Sequence, residues 1–362
     1  VSMNTPDQQA HLLQQIQPQQ PLQPHHQLQP QHHQPPLTQR PLRVVSLGGG
    51  TGQPTLIAAL RAMHIPVHID AIVAMADDGR SSGSLRAHEH ILPPGDLRKC
   101  LVALSYDPQG VLAQSFEHRF SYLEHHTVGN LFLAALNLEG ASVPEALAIC
   151  EEMLGCVGHV HPSTLEDIQL VGETARGELV RGQALLSYGS SRLRRVWLDP
   201  ESPKIYAGAR EALAAADVII MGPGSLFTSL MPNVLVPELA QSLRQSQAKR
   251  IFIGSIADVP GETEGMSAID YIDALEAHGM VGVIDTAVFH APRPAHLSQT
   301  VQKSHLYSPV VLGAADERAL RERVSQVIVS DFSDPISETS HNVIKLASTL
   351  KEVCGSCRLA QR

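Results

Sequence analysis

No extended lysine- or arginine-rich run occurs in the 362 residues, and the formal net charge is -9. General nucleic-acid binding and attachment to anionic membranes both draw on clustered positive charge, so neither is expected. No apolar stretch approaches the about 20 residues needed to cross a bilayer, so membrane insertion is not expected either. The chain does not open on a charged n-region followed by an apolar h-region, and a cytoplasmic location is the default expectation. Cysteine is also scarce: Cys100, Cys150, Cys156, Cys354 and Cys357 are odd in number and build no disulfide framework. Cys354-Gly-Ser-Cys357 has redox or zinc-knuckle spacing, but no second pair completes a tetrahedral site and no strand precedes it. It reads as two incidental thiols in a short tail over 354–362. What the chain does hold is 43% hydrophobic residues, enough for a sizeable core.

The first forty residues differ from the rest. Gln, Pro and His supply 25 of them, and Asp7 and Arg40 are their only charges. Such a segment cannot bury enough apolar surface to offset its ordering entropy, which predicts a disordered tail over 1–40. From Arg43 the texture changes to that of one α/β domain over 41–353. Val44–Leu47 is a short apolar run ending in glycines, which predicts a buried strand. A helical pattern over Pro54–Met63 and an apolar run at Ala71–Met75 complete a β-turn-α-β opening, the unit of a doubly wound, mainly parallel sheet. Helices are expected over Asp96–Leu104, Gly110–Phe120, Gly129–Leu138 and Pro144–Leu154, with Asp96 and Ser142 as N-caps. Alternation over Asp167–Thr174, Glu178–Leu186 and Leu193–Leu198 predicts an inserted antiparallel β segment at about 160–200. The α/β rhythm then resumes, with helices at Ala209–Ala215, Pro237–Ser246 and Ser267–His278. Strands are expected at Val218–Met221, Arg250–Ile253 and Val281–Ile284.

Four places carry chemistry. Gly48-Gly49-Gly50-Thr51-Gly52 joins a strand to a helix, where glycines allow close backbone approach and the helix N–H groups can cradle phosphate. The run fails the dinucleotide fingerprint at Gln53 and lacks the Lys of a P-loop. Asp77-Asp78-Gly79-Arg80-Ser81-Ser82 follows the second strand at the same sheet edge. Adjacent carboxylates there suit a metal ion, a ribose hydroxyl or a general base, and the two serines suit phosphate. Gly222-Pro223-Gly224-Ser225 is a second strand-to-glycine turn, and two such turns can flank one crevice. Thr228 and Ser229 suit caps of the next segment. His126–Asn130 precedes an apolar helix, where Asn130 offers the paired donor and acceptor that read a nucleobase edge.

In this order, and together with Pro93-Pro94-Gly95-Asp96-Leu97-Arg98 and Pro260-Gly261-Glu262-Thr263, these blocks resemble the gluconeogenesis factor (YvcK) family within the CofD-like 2-phospho-L-lactate transferase group. The resemblance spans about Val44 to His278. It implies a Rossmann-like α/β fold, a UDP-sugar ligand such as UDP-N-acetylglucosamine, and a role in carbon metabolism and cell-wall or cell-shape control during gluconeogenic growth. Carried over, Gly50, Thr51 and Gly52 face the diphosphate. Asp77 and Asp78 line the centre, Asn130 meets the base, and Gly224 and Ser225 form the far wall. The chain departs from the pattern at Arg80 and His125, where members often have Gly.

Two functions compete. One is a nucleotide-sugar-binding regulator without turnover. The other is a transferase that moves a phospho-lactyl group from a nucleotide diphosphate carrier, disfavoured because Gly79–Arg86 replaces that family's Pro-Asp-x-Asp segment. An NAD-linked oxidoreductase is weaker still, since Asp70 precedes the second strand instead of closing it. The remaining expectations are Mg²⁺ held, if at all, by Asp77 and Asp78, self-association of the chain, and a protein partner in morphogenesis.

Overall fold

Strand β1 (Leu42–Gly48) buries every residue except Arg43. A strand with no solvent face must be covered on both sides, and that requires a parallel sheet with flanking helices. The computed structural model describes residues 40–123, 126–187, 189, 191–291, 307–337 and 339–360, and meets that requirement. The tail reading for 1–40 lies outside the described residues apart from Arg40, as does His125. Chain direction fixes the rest of the sheet. From β1 the chain moves to β2 (Val67–Val73) and β3 (Gly158–Pro162) on one side. After a small antiparallel sheet, it returns to place β7 (Val218–Met221) against the other side of β1. It then adds β8 (Lys249–Ile253), β9 (Thr286–His290) and β10 (Gln326–Ser330). All seven strands pair in parallel. The order β10-β9-β8-β7-β1-β2-β3 reverses direction between β1 and β7, and ligands of doubly wound sheets bind in the crevice at that reversal.

The small sheet has the order β5-β4-β6, from β4 (Gln169–Thr174), β5 (Leu179–Arg181) and β6 (Leu193–Asp199). Its edge strand β5 is shorter than the alternation over Glu178–Leu186 predicts. Gly182, at φ +98°, turns the chain into a single helical turn, Gln183–Leu186. Helix Gly52–Arg61 directs Leu56, Ile57, Ala59 and Leu60 into the core and packs against helices Gly95–Leu104 and Val343–Ala360. Ser142 caps helix Val143–Leu154 through a reciprocal pair with Glu145, as its position predicts.

Three expectations are corrected. Asp96 is not an N-cap: Pro94 holds that position and Asp96 stands in the helix's first turn. Val281–Ile284 is not a strand. Gly282 turns there at φ +66°, and the strand begins two residues later at Thr286. Val283 and Ile284 are buried all the same, so their apolar character reports packing without pairing. The tail expected from 354 is helix as far as Ala360, and Cys354 is fully buried within it. No helix among the described residues is long and apolar enough to cross a membrane.

Candidate functional site

The two glycine turns meet backbone to backbone. β1 runs into Gly49-Gly50-Thr51, and β7 runs into Gly222-Pro223-Gly224. A Cβ on Gly52 would lie 2.2 Å from the Pro223 carbonyl oxygen, so only glycine allows this approach. Gly50 takes a left-handed φ of +63° to make the turn. Asn233 ties the turns together by donating from Nδ2 to the carbonyls of Gly48 (2.9 Å) and Ser229 (3.1 Å). Gln53 is buried and donates from Nε2 to the carbonyls of Ser46 and Ile72, both at 3.0 Å. It bridges β1 and β2 from the position where a dinucleotide turn keeps glycine.

The carboxylates are arranged differently from their spacing in sequence. Asp78 is committed to the inserted segment, accepting from the backbone N–H of Gln183 (3.1 Å) and Ala184 (2.7 Å). Asp77 is paired instead with Asp96, nineteen residues away. Burial and then the Asp96 charge hold the Asp77 carboxyl above the usual range, against hydrogen bonds from Ser82 and Gly79. Asp96 accepts the Gly50 N–H on one oxygen at 2.7 Å and the Lys99 ammonium on the other at 2.8 Å. Burial opposes the charge on Lys99, but Asp96 and Asp77 outweigh it and raise its pKa. The expected acidic pair is therefore Asp77–Asp96, with a lysine supplying the counter-charge.

Ser81, Ser82 and Asn130 form a buried layer behind these groups. Asn130 Nδ2 donates to Ser81 Oγ at 2.9 Å, and Ser81 Oγ is 2.9 Å from His126 Nδ1. Ser82 Oγ accepts the Gly95 N–H at 3.1 Å. Thr127 caps the helix that carries Asn130. Arg80 is exposed with a φ of +38°.

At the second turn, Glu262 is completely buried and bonds to four groups, of which the Ser225 and Thr228 hydroxyls also bond to each other at 2.6 Å. The four are the hydroxyl of Ser225, the N–H groups of Phe227 (2.9 Å) and Thr228 (3.3 Å), and the Thr228 hydroxyl (3.0 Å). Burial pushes its carboxyl upward, and these hydrogen bonds pull it back.

Beside the joined turns lies a cavity of ≈ 360 Å³. Gly50, Thr51 and Gly52 of the first turn and Gly224 and Ser225 of the second line it. Asp258, Tyr307 and His341, none singled out by their sequence context, add a far wall. Gly48, Gly49 and Gly222 belong to the turns but do not line the cavity. Asp77, Asp78, Arg80, Ser81, Ser82 and Asn130 do not line this cavity. Burial and then His290 lower the His341 pKa to about 4, with a backbone bond to Gly254 opposing, so its imidazole is neutral at pH 7. Among the described residues, no group of three or more His, Cys, Asp or Glu is placed to hold a metal.

A family model described as 2-phospho-L-lactate transferase CofD matches residues 44–333. The chain belongs to the CofD family. Within that family it is similar to proteins named gluconeogenesis factor. It is 35% identical to the one from Halalkalibacterium halodurans over 85% of this chain and 95% of the relative. It is 34% identical to the one from Bacillus subtilis over 87% and 99%. The crystal structure of a UPF0052 family protein from Bacillus halodurans superposes with a TM-score of 0.80 at 34% identity, covering 86% of this chain and 99% of that one. The family match runs past His290, where the sequence pattern alone identified nothing. It includes β10 and the segment leading towards His341, so the far wall is built partly from residues that carry no local signature.

Proposed function

We propose that this CofD-family chain is a cytoplasmic gluconeogenesis factor that binds a UDP-sugar of the UDP-N-acetylglucosamine type beside its two glycine turns. In this reading it acts as a regulator of carbon metabolism and of cell-wall synthesis and cell shape, alone or self-associated, with a morphogenesis protein as partner. One observation carries the ligand class: two glycine turns pressed together at the sheet's reversal point, with a helix N-terminus and a cavity beside them. The diphosphate lies against Gly50–Gly52, whose helix leaves its first N–H groups without intrahelical partners. Of the carboxylates near that turn, Asp96 is occupied by Lys99 and the Gly50 N–H, and Asp78 by backbone donors of the inserted segment. Binding is therefore expected without Mg²⁺.

Calorimetry of the full chain against UDP-N-acetylglucosamine, GDP and NADH, with and without EDTA, tests the reading. Saturable binding of the UDP-sugar that survives EDTA is expected, with NADH inert because Gln53 fills the place of the third glycine. No UDP-sugar binding refutes the ligand, and loss on chelation refutes the metal-free site. The transferase reading keeps one specific observation in its favour. Asp77, with its raised pKa, lies beside Asp96 and Lys99, an acid–base group close to the first turn. Steady product formation from a lactyl-guanosine diphosphate donor, lost in Asp77→Asn, would establish it.

A further inference from the structure

The hydroxyls at the second glycine turn are one proton short. Ser225 Oγ lies 2.6 Å from Thr228 Oγ1. Each also bonds to Glu262, Ser225 at Oε1 and Thr228 at Oε2, the latter at 3.0 Å. The three side chains close a ring of three oxygen-to-oxygen bonds, and each bond needs a proton between its oxygens. Ser225 and Thr228 supply two. Ser187 Oγ, 3.4 Å from Thr228 Oγ1, adds one hydroxyl and one further contact, so the shortfall stays at one. The missing proton has one place to sit, the carboxyl of Glu262. Its surroundings agree. Glu262 is completely buried, and among the described residues no lysine or arginine lines the adjacent cavity. Burial holds its carboxyl above the usual range, against the pull of its hydrogen bonds.

The sense of the ring follows from the backbone. Oε1 accepts the N–H groups of Phe227 (2.9 Å) and Thr228 (3.3 Å), the role of the carbonyl oxygen of an acid. Oε2 therefore carries the proton and donates to Thr228, Thr228 donates to Ser225, and Ser225 donates to Oε1. Run in the opposite sense, the ring would still spend the Ser225 proton on a neighbour. Ser225 is half-buried and lines the cavity, so it offers a ligand a lone pair and no proton. His341, on the same cavity, is built alike. Its bond to the Gly254 backbone favours the protonated ring, so a ring N–H donates there, while Nε2 is buried without a partner. A neutral imidazole has one N–H, which leaves Nε2 as a bare acceptor.

We infer that Glu262 is a neutral acid whose hydroxyl ring with Thr228 and Ser225 makes Ser225 an acceptor, so that Ser225 selects a sugar hydroxyl and gives no hold to a phosphate oxygen. The inference rests on the UDP-sugar reading above and adds what the sugar must present there, a donor. A phosphate oxygen at Ser225 would set lone pair against lone pair, which keeps the diphosphate at the first turn. Glu262 is a positioning residue: it acts through Ser225 and does not touch the ligand.

Calorimetry of the full chain should compare UDP-N-acetylglucosamine with analogues carrying fluorine in place of one sugar hydroxyl at a time, since fluorine cannot donate. One analogue should bind about three- to ten-fold more weakly, the worth of one neutral hydrogen bond. Ser225→Ala, checked for folding by circular dichroism, should abolish that difference. Equal affinities for all analogues, or a difference unchanged in folded Ser225→Ala, overturn the inference and leave the UDP-sugar site standing. If neither UDP-N-acetylglucosamine nor UDP binds, the site reading itself fails. The proton on Glu262 has its own readout, free of any ligand. Infrared difference spectra of wild type against Glu262→Gln at pH 7 should show the carbonyl band of a protonated carboxylic acid, and carboxylate bands alone overturn the neutral acid. Heavy-isotope labelling of the glutamate carboxyl carbons must shift that band. The shift is read on wild type, so the test survives a variant that does not fold.

Discussion

Replacing Gly52 with alanine places a methyl group 2.2 Å from the Pro223 carbonyl oxygen, 2.6 Å from its carbon and 2.9 Å from Gly224 Cα. Every atom it meets is backbone, so no side chain can swing aside. Relief requires the two turns to part by about 1 Å to reach ordinary contact distance. Overpacking of this kind costs about 1–3 kcal/mol, and the rigid neighbours put Gly52→Ala at the upper end. In a domain of this size that lowers Tm by roughly 5 °C. Gly50→Ala provides the comparison. Gly50 has the unfavourable φ of +63°, but its Cβ would meet only the Ser229 hydroxyl at 3.1 Å. That cost is about 1 kcal/mol, mostly backbone strain. Conformation alone therefore ranks Gly50→Ala as the worse change, whereas close approach ranks Gly52→Ala as the worse. Thermal melts of both variants, with UDP-sugar calorimetry beside them, separate the two. A Gly52→Ala protein that melts at or above Gly50→Ala and binds normally would refute the apposition of the turns.

Two further outcomes follow from single residues. His341 has a folded-state pKa of about 4 against the ordinary histidine value of about 6.5, so the unfolded chain binds the proton more readily. Its contribution to stability is complete above pH 6.5 and is lost as the pH falls towards 4, on the order of 3 kcal/mol in all. Urea unfolding at pH 7 and pH 4.5 should show this loss, reduced in His341→Gln; equal pH dependence in both proteins contradicts it. Asp78→Ala removes the acceptor of two backbone N–H groups, and should destabilise by about 1–3 kcal/mol while exposing Gln183–Leu186 to faster hydrogen exchange. Unaltered exchange there would show that Asp78 does not anchor the inserted segment.

How far the sequence revealed this site depends on how local each signal is. Val44–Leu47 followed by four glycines in five residues is a contiguous signal, and both the buried strand and its turn were legible from it. Val281–Ile284 shows the limit of that logic: apolar residues report burial, and Gly282 places them in a turn instead of a ladder. The acidic pair shows another limit. Asp77 and Asp78 are neighbours in the chain, but consecutive residues in a loop direct their side chains apart, and Asp78 ends on the inserted sheet. The partner of Asp77 comes from helix Gly95–Leu104, and no spacing rule joins residues nineteen apart across two elements. Glu262 lies thirty-seven residues beyond the Ser225 it holds. Its Pro-Gly-Glu-Thr block carried a family resemblance but no role, because that role exists only once β7 and the loop after β8 are folded against each other. His341 had no signature at all, since a histidine acquires meaning from its burial and the cavity it faces.

The central claim is that a nucleotide-linked diphosphate lies on the first glycine turn. A crystal structure of the full chain with UDP-N-acetylglucosamine tests it most directly. The account predicts phosphate oxygens within hydrogen-bond distance of the backbone N–H groups of Thr51 and Gly52, the Gly50 N–H being held by Asp96, with the sugar towards Ser225 and His341. A diphosphate bound instead at Ser81–Ser82 and Asn130, with the cavity beside the two turns empty, would contradict it.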